Sequence, residues 1–267
     1  MRSLAPILAA VTWLSLAAGA RRARADEPAP RPAYRLSVDL DVPLVLVSGG
    51  LAASYLLLGE GAPPACAPLC NKANVNVLDR PFAGLFSPTW DRVGDVVTFS
   101  TLALVPLTLV VAEPSWRVLG DLLVVTEAAL ATSGVQVIAT YAVGRPRPRV
   151  YGDEAPLSSR DNANAARSFI SGHVANTVAV TLATTRALRR LERPGLAWTA
   201  LGIGVVGSLL IGVARVEAGS HFPSDVLIGY GLGAGMGIAV PALHELEIRV
   251  APFAVESARG LAITGTL

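Results

Sequence analysis

The sequence has 267 residues, of which 52% are hydrophobic and only 16% are charged. Soluble domains usually carry about 25% charged residues, so this composition argues against a soluble protein and favours a chain surrounded by lipid. The formal net charge of +2 says little about partners.

Residues 1–25 are typical of a targeting segment. An early arginine precedes an apolar stretch over 4–18, and small-x-small sequences that suit signal cleavage follow at 18–20 and 23–25. An uncleaved N-terminal anchor is the alternative, because several arginines follow the apolar stretch and cations prefer the cytoplasmic flank.

Six apolar stretches of nearly membrane-spanning length follow residue 35, and a crossing needs roughly 20 residues. They lie at about 41–59, 94–112, 118–143, 172–188, 196–214 and 224–246. We therefore predict an all-α, integral-membrane bundle of about six helices with its active site at one membrane rim. The predicted parts are a signal or anchor (1–25), an N-terminal segment with one possible membrane helix and a cysteine-containing loop (26–93), a helical catalytic core (94–248) and a C-terminal tail (249–267).

Polar residues interrupt the third stretch at Asp121, Glu127 and Gln136. Such side chains are costly in hydrocarbon, so we expect them to face the bundle interior, with Glu127 in a structural contact to a neighbouring helix. Glycine runs at 202–204 and 231–235 suit close helix packing. A phosphate-binding glycine loop is excluded there, because no strand precedes either run and no Gly-Lys follows.

Cys66 and Cys70 are the only cysteines and lie in a Pro/Gly-rich segment. A pair at this spacing suits a disulfide in an exported loop, whereas a metal site would need further Cys or His nearby.

The connections between the stretches indicate an orientation. If all six stretches cross, 145–171 and 215–224 share one face, and the short basic segment 186–194 lies on the other, cytoplasmic face. The arginines of 145–171 then lie outside, which indicates an anionic ligand there. In this orientation residue 41 lies on the cytoplasmic side, whereas a cleaved signal would leave it outside. Either the first segment is an uncleaved, inverted anchor, or the stretch 41–59 does not fully cross the membrane.

Two of the three histidines, His173 and His221, fall at helix ends on that outer face, together with several arginines. Asp225 follows His221 by four residues, so its carboxylate can hold the far ring N–H of the imidazole. Arginines and free helix N–H groups bind phosphate oxygens, and the set fits phosphoryl transfer through a phosphohistidine. Metal ligation by His173, His221 and Asp225 is the alternative, but a ring of arginines argues against a cation, and we predict no metal and no cofactor. His244 is interpreted as an interfacial polar residue.

Three sequence blocks then carry a family resemblance. They are TYAVGRPRP, FISGH and ARVEAGSHFPSD, in that order over about 140–225. They resemble the pattern of the type-2 phosphatidic acid phosphatase superfamily, which is Lys-x6-Arg-Pro, Pro-Ser-Gly-His and Ser-Arg-x5-His-x3-Asp. The spacing of the third block is met in full, and residues 26–110 carry no such motif.

The resemblance implies a role for each matching residue. His221 would attack phosphorus, Asp225 would orient His221, and His173 would protonate the leaving alkoxide. The phosphoryl oxygens would be held by Arg147, Arg215, Ser171 and the backbone N–H of Gly172.

Three positions depart from the family pattern. Thr140 stands at the lysine position, Ile170 at the proline position and Ala214 at the serine position of the third block. Thr140 removes a phosphate-binding cation, and Arg145 or Arg167 would supply the charge instead. Ala214 costs one hydrogen bond, about 1 kcal/mol.

The sequence therefore predicts a metal-independent lipid phosphate phosphatase that hydrolyses a phosphomonoester or diphosphate. It would work in a bacterial inner membrane, with the active site facing the periplasm and bilayer lipid as its surroundings. We predict a lipid phosphate substrate and the lipid bilayer as partners, and no nucleic acid. The alternatives are a degenerate lipid-phosphate-binding protein without turnover, an enzyme like the vanadate-dependent haloperoxidases, which are typically soluble, and phosphoryl transfer to another lipid.

Overall fold

The computed structural model of the chain describes residues 32–57, 61–245, 247–255 and 258–266. The helices are α1 Val38–Leu57, α2 Pro88–Ala112, α3 Val118–Val143, the single turn α4 Leu157–Arg160, α5 Gly172–Arg190, α6 Pro194–Glu217 and α7 Pro223–Leu243. Strands β1 Glu247–Val255 and β2 Ala258–Thr266 pair as an antiparallel hairpin. The predicted signal or anchor over 1–25 lies outside the described residues.

The six long helices correspond to the six predicted apolar stretches, and the predicted membrane helical bundle is confirmed. Within the described part of the chain, four segments are long and apolar enough to cross a membrane: α2, α3 with the residues that follow it, α6 and α7. The hairpin after α7 is an addition to the bundle that the hydrophobic pattern did not predict.

Helix α5 is less apolar than the other long helices because it lies inside the bundle. It packs against α2, α3, α6 and α7, so most of its surface faces protein instead of lipid. Its threonines satisfy their hydroxyls locally: Thr177, Thr181 and Thr185 each donate to the carbonyl four residues earlier. A central position thus permits a polar composition that a lipid-facing helix could not carry.

Glycine allows two neighbours to approach α5 closely. A Cβ on Gly204 of α6 would lie 2.0 Å from Thr181, and one on Gly233 of α7 would lie 2.3 Å from the Ala175 carbonyl. Gly202 and Gly231, in the same two runs, have no such neighbour within 4 Å. Only part of each run therefore serves the predicted close packing.

The long helices alternate in direction, so six helix ends lie on one side of the bundle. These are the starts of α2, α5 and α7 and the ends of α1, α3 and α6. The segment 61–87 lies against this rim: Cys70 N–H donates to the Val150 carbonyl at 2.9 Å, and Gly84 N–H donates to the Pro148 carbonyl at 2.8 Å. Cys66 and Cys70 are joined as a disulfide in this segment.

Helix α1 begins at the opposite end of the bundle, where Asp41 contacts His244 beyond the end of α7. Its 20 residues span about 30 Å, which is enough to cross the hydrocarbon core.

Candidate active site

His221 lies in the tight turn between α6 and α7. Its backbone N–H donates to the Arg215 carbonyl at 3.1 Å, and its side chain is buried. The turn depends on Gly219, whose φ is +68° and whose missing Cβ would overlap the Leu85 carbonyl oxygen. Only glycine adopts this conformation without strain and fits this space.

The ring of His221 is oriented by a backbone carbonyl. Its Nδ1 lies 2.5 Å from the carbonyl oxygen of Ser168, which can only accept, so Nδ1 carries the hydrogen and the lone pair is on Nε2. Burial lowers the pKa of His221 well below its usual range, and the nearby positive charges of Arg147 and Arg215 act in the same direction. The imidazole is therefore neutral at pH 7, as a nucleophile must be.

Asp225 acts on His221 through an intermediate residue. Its carboxylate accepts hydrogen bonds from Ser168 Oγ at 2.6 Å and from the Phe222 backbone N–H at 2.9 Å. The ring nitrogen Nδ1, which the sequence assigned to this carboxylate, is taken by the Ser168 carbonyl. Asp225 therefore acts on the imidazole of His221 through Ser168, because the connection 145–171 passes between Asp225 and His221.

Arg145 has partners other than the predicted phosphate. Its guanidinium pairs with Asp79 at 2.7 Å and with Asp225 at 2.5 Å, donates to Ser224 Oγ at 2.8 Å and lies over the Phe222 ring. Two carboxylates therefore neutralise its charge, and it joins the segment before α2 to the start of α7. These contacts suit a structural brace, and the role of Arg145 in phosphate binding stays a prediction.

Arg167, the other candidate for the missing cation, donates to the Tyr141 hydroxyl at 3.1 Å and lies over that ring. Thr140 itself is buried. Its hydroxyl donates to the Phe169 carbonyl at 2.7 Å and accepts from Gln136 Nε2 at 2.6 Å. At the family's lysine position, a hydroxyl thus fastens the connection before α5 to α3.

Of the two histidines at this rim, His173 at the start of α5 is the one that a carboxylate contacts directly. Its Nε2 lies 3.1 Å from Asp95 Oδ1, and the same oxygen accepts from Arg215 at 2.9 Å. Asp91 lies 3.2 Å from Arg215 and also accepts from the Ser220 hydroxyl. The sequence did not predict either acid, since Asp and Glu are common at the start of any helix.

Two further predicted residues lie at the start of α5. Ser171 is fully buried, and its hydroxyl has no hydrogen-bond partner among the described residues. Gly172 opens the helix, so the first backbone N–H groups of α5 lie at the rim beside the two histidines. A helix start of this kind attracts an anion.

Arginines supply the positive charge of the site. Arg147 donates to Asn164 Oδ1 at 2.9 Å, and its charge acts on both histidines. Arg149, two residues later, is only 8% exposed, and within the described residues no hydrogen bond or ion pair engages its guanidinium. Its electrostatic neighbours are Asp91 and Arg215. A buried, unpaired guanidinium beside a second one is unfavourable unless an anion binds between them.

An apolar groove of about 360 Å³ lies between α6 and α7, next to this rim. Leu209 and Val213 of α6 and Leu227 of α7 line it and are exposed on the outside of the bundle. Tyr230 closes its inner side, with its hydroxyl donating to the Ser208 carbonyl at 2.8 Å. The groove is therefore apolar and open to the outside of the bundle.

Comparisons with known proteins identify one matching family and one similar solved structure. Residues 121–249, just under half of the chain, match the PAP2 superfamily, whose members are phosphatases. A solved structure, the first transmembrane PAP2 type phosphatidylglycerolphosphate phosphatase from Bacillus subtilis, is 22% identical. The two structures align over 77% of this chain and 96% of the Bacillus subtilis chain, with a TM-score of 0.44. No curated protein matches the sequence.

Proposed function

We propose, from the match of residues 121–249 to the PAP2 superfamily, that the chain is a lipid phosphate phosphatase that works through a phosphohistidine and needs no metal for the chemical step. The observation that carries the proposal is the state of His221. The ring is buried, kept neutral, and held through Nδ1 so that the lone pair of Nε2 is available.

In the first step, Nε2 of His221 attacks phosphorus and the bond from phosphorus to the lipid oxygen breaks. The leaving alkoxide takes a proton from His173. Burial and the charge of Arg215 lower the pKa of this imidazole, and its protonated form is supported by Asp95 at 3.1 Å and by the negative charge of the substrate phosphate. In the second step, water attacks the phosphohistidine and gives a proton to His173. The N–P bond then breaks, inorganic phosphate leaves, and both histidines return to their starting states.

The phosphoryl oxygens are held by Arg147, Arg149, Arg215, Ser171 and the first N–H groups of α5. Arg149 takes the place of the family's lysine in this proposal. Its unengaged, buried guanidinium supports this assignment, whereas Arg145 is already neutralised by two carboxylates. Thr140 stands where the family has a lysine, and this loss of a cation favours a degenerate protein that binds lipid phosphate without turnover. If Arg149 supplies the missing charge, Thr140 no longer favours that alternative.

We infer that the active-site rim faces the periplasm. The disulfide between Cys66 and Cys70 lies on the same side, and disulfides persist in oxidising compartments. The basic connection between α5 and α6 lies at the opposite end, as expected of a cytoplasmic loop. The groove between α6 and α7 supports a lipid over a soluble phosphomonoester.

The test is phosphate release by the detergent-purified protein from phosphatidic acid, phosphatidylglycerophosphate and undecaprenyl diphosphate, with His221→Ala beside the native chain. We expect release by the native protein and none by the variant. Incubation with ³²P-labelled substrate followed by an alkaline quench should trap label on the native protein, because a phosphohistidine survives base. Release that persists in His221→Ala, or label that is absent throughout turnover, would overturn the phosphohistidine route.

The lipid preference is tested at the groove. Val213→Trp fills it, and Val206→Trp places the same bulk on an exposed position of α6 that does not line it. We expect Val213→Trp to raise KM for a long-chain lipid phosphate at least tenfold and to leave hydrolysis of p-nitrophenyl phosphate unchanged. Equal effects of the two variants on the lipid would show that the substrate chain lies elsewhere.

A further inference from the structure

A second cluster of polar side chains lies at the end of the bundle remote from the phosphatase site. His244 Nε2 is 2.8 Å from Asp41 Oδ1 and 3.0 Å from Glu127 Oε2. The histidine and glutamate side chains are fully buried and the aspartate side chain is 9% exposed. One ligand atom from each residue lies within 4.8 Å of the other two. The cluster joins α1, α3 and the end of α7.

The histidine is oriented as a ligand. Its Nδ1 lies 2.9 Å from the Val240 carbonyl, so Nδ1 carries a hydrogen and Nε2 faces the two carboxylates. A ring N–H held by a backbone carbonyl is the usual outer contact of a metal-binding histidine, because it sets the tautomer and the ring plane. The sequence predicted that His244 lies at the membrane interface, but its side chain is enclosed in the bundle.

Glu127 is the member of the cluster whose buried charge has the least compensation from its neighbours. It is 0% exposed, and neither carboxylate oxygen has a hydrogen-bond partner within the described residues. Its recorded contact is the 3.0 Å ion pair with His244. A buried carboxylate without hydrogen bonds is strongly unfavourable unless a positive charge compensates for the lost water.

The charge of the cluster also favours a divalent ion. Two carboxylates with a protonated imidazole carry a net charge of −1, whereas two carboxylates with a neutral imidazole and a divalent cation carry none. Among the described residues neither Arg186 nor Arg190 contacts these two carboxylates, since both guanidinium groups pair with Glu245. The three residues are close enough to share an ion: ligand atoms at about 2.0–2.1 Å from Zn²⁺ in a tetrahedral site are roughly 3.3 Å apart. The ring nitrogen lies 2.8 and 3.0 Å from the two carboxylate oxygens, so these atoms would move apart slightly as the ion binds.

We propose that Asp41, Glu127 and His244 bind a divalent transition-metal ion, of which Zn²⁺ is the best match to one imidazole and two carboxylates. The ion fastens α1 and α3 to the end of α7. Along α7, His244 is 19 residues from Asp225, or roughly 28 Å, so the ion does not touch the phosphoryl group. Its role is structural and is independent of the proposed phosphatase chemistry.

The test uses the full chain without a polyhistidine tag, with Zn²⁺ alone as the probe and Mg²⁺ as its counterpart. We expect the native protein to retain one Zn²⁺ per chain after dialysis and Glu127→Gln and His244→Gln to retain none. Glu245→Gln removes a neighbouring carboxylate outside the cluster, and His221→Ala removes a ligand-type residue of the other site. Both should bind Zn²⁺ as the native chain does.

Stability gives a second readout. At 100 times Kd, Zn²⁺ should raise the folding equilibrium constant of the native protein about 100-fold and leave that of Glu127→Gln unchanged. If a variant fails to fold, the site can still be tested in the native protein by itself. Co²⁺ is then added in place of Zn²⁺, and its visible absorption reports whether the ion is bound by protein ligands. Absence of stoichiometric binding by the native chain, or equal binding by Glu127→Gln, would refute the site and leave a buried ion triad.

Discussion

Replacement of Arg149 by methionine tests whether this arginine binds phosphate or only stabilises the fold. Methionine keeps an apolar stem of similar length and removes the charge. A hydrogen bond to a charged group contributes about 1.5–3 kcal/mol, and 1.36 kcal/mol corresponds to tenfold. We therefore expect Arg149→Met to lower kcat/KM roughly 10- to 150-fold.

Stability should change in the opposite direction. In the phosphate-free protein the guanidinium is buried, unpaired among the described residues and close to Arg215, so its removal relieves about 1–3 kcal/mol. The unfolding midpoint of Arg149→Met should therefore rise by several degrees, and inorganic phosphate should stabilise it less than the native protein.

The matched control is Arg160→Met in the same connection. The Arg160 guanidinium donates to the Ala155 carbonyl at 2.8 Å and to the Pro68 carbonyl at 3.1 Å, so its loss should lower stability and leave kcat/KM unchanged. Both quantities are read from one preparation, by initial rates on a lipid phosphate and by thermal unfolding in detergent. An unchanged kcat/KM in Arg149→Met, or a lower unfolding midpoint, would refute the assignment.

The remaining predictions concern the two histidines and the turn that carries one of them. Because the folded pKa of His221 lies below its ordinary 6.5, the unfolded chain takes up this proton first, and the free energy of unfolding should fall as pH drops below 6.5. That slope should be shallower in His221→Gln, and identical slopes in denaturation series would contradict the burial of a neutral ring. Asp95→Asn should slow hydrolysis of an alkyl phosphate roughly 10- to 100-fold and that of p-nitrophenyl phosphate far less, since nitrophenolate leaves without a proton; equal slowing would mean that Asp95 does not serve the acid. Gly219→Ala should cost about 1–3 kcal/mol of stability in chemical unfolding, while Gly231→Ala, in open space, should cost none; equal values would show that the turn tolerates a side chain.

Several features of this protein were predictable from local sequence patterns. Hydrophobic length determines the six long helices, because a chain in lipid must satisfy its backbone within each segment. The order of the motifs placed His173 and His221 at helix ends on one rim, since an even number of crossings returns the chain to the same side. The pair Cys66 and Cys70 was predictable from spacing, and the structure joins it.

The partners of these residues were decided only by the tertiary structure. His173 and Asp95 are 78 residues apart, and His244 and Asp41 are 203 residues apart. Sequence spacing has no information on such pairs, because they depend on which helix ends meet and how each helix is rotated. The same reason explains Arg145 and Arg149: both lie in one basic segment, but packing brings two carboxylates to the first and encloses the second without a partner. Composition determines that this connection is positive, and only the folded bundle determines which of its charges is left for an anion.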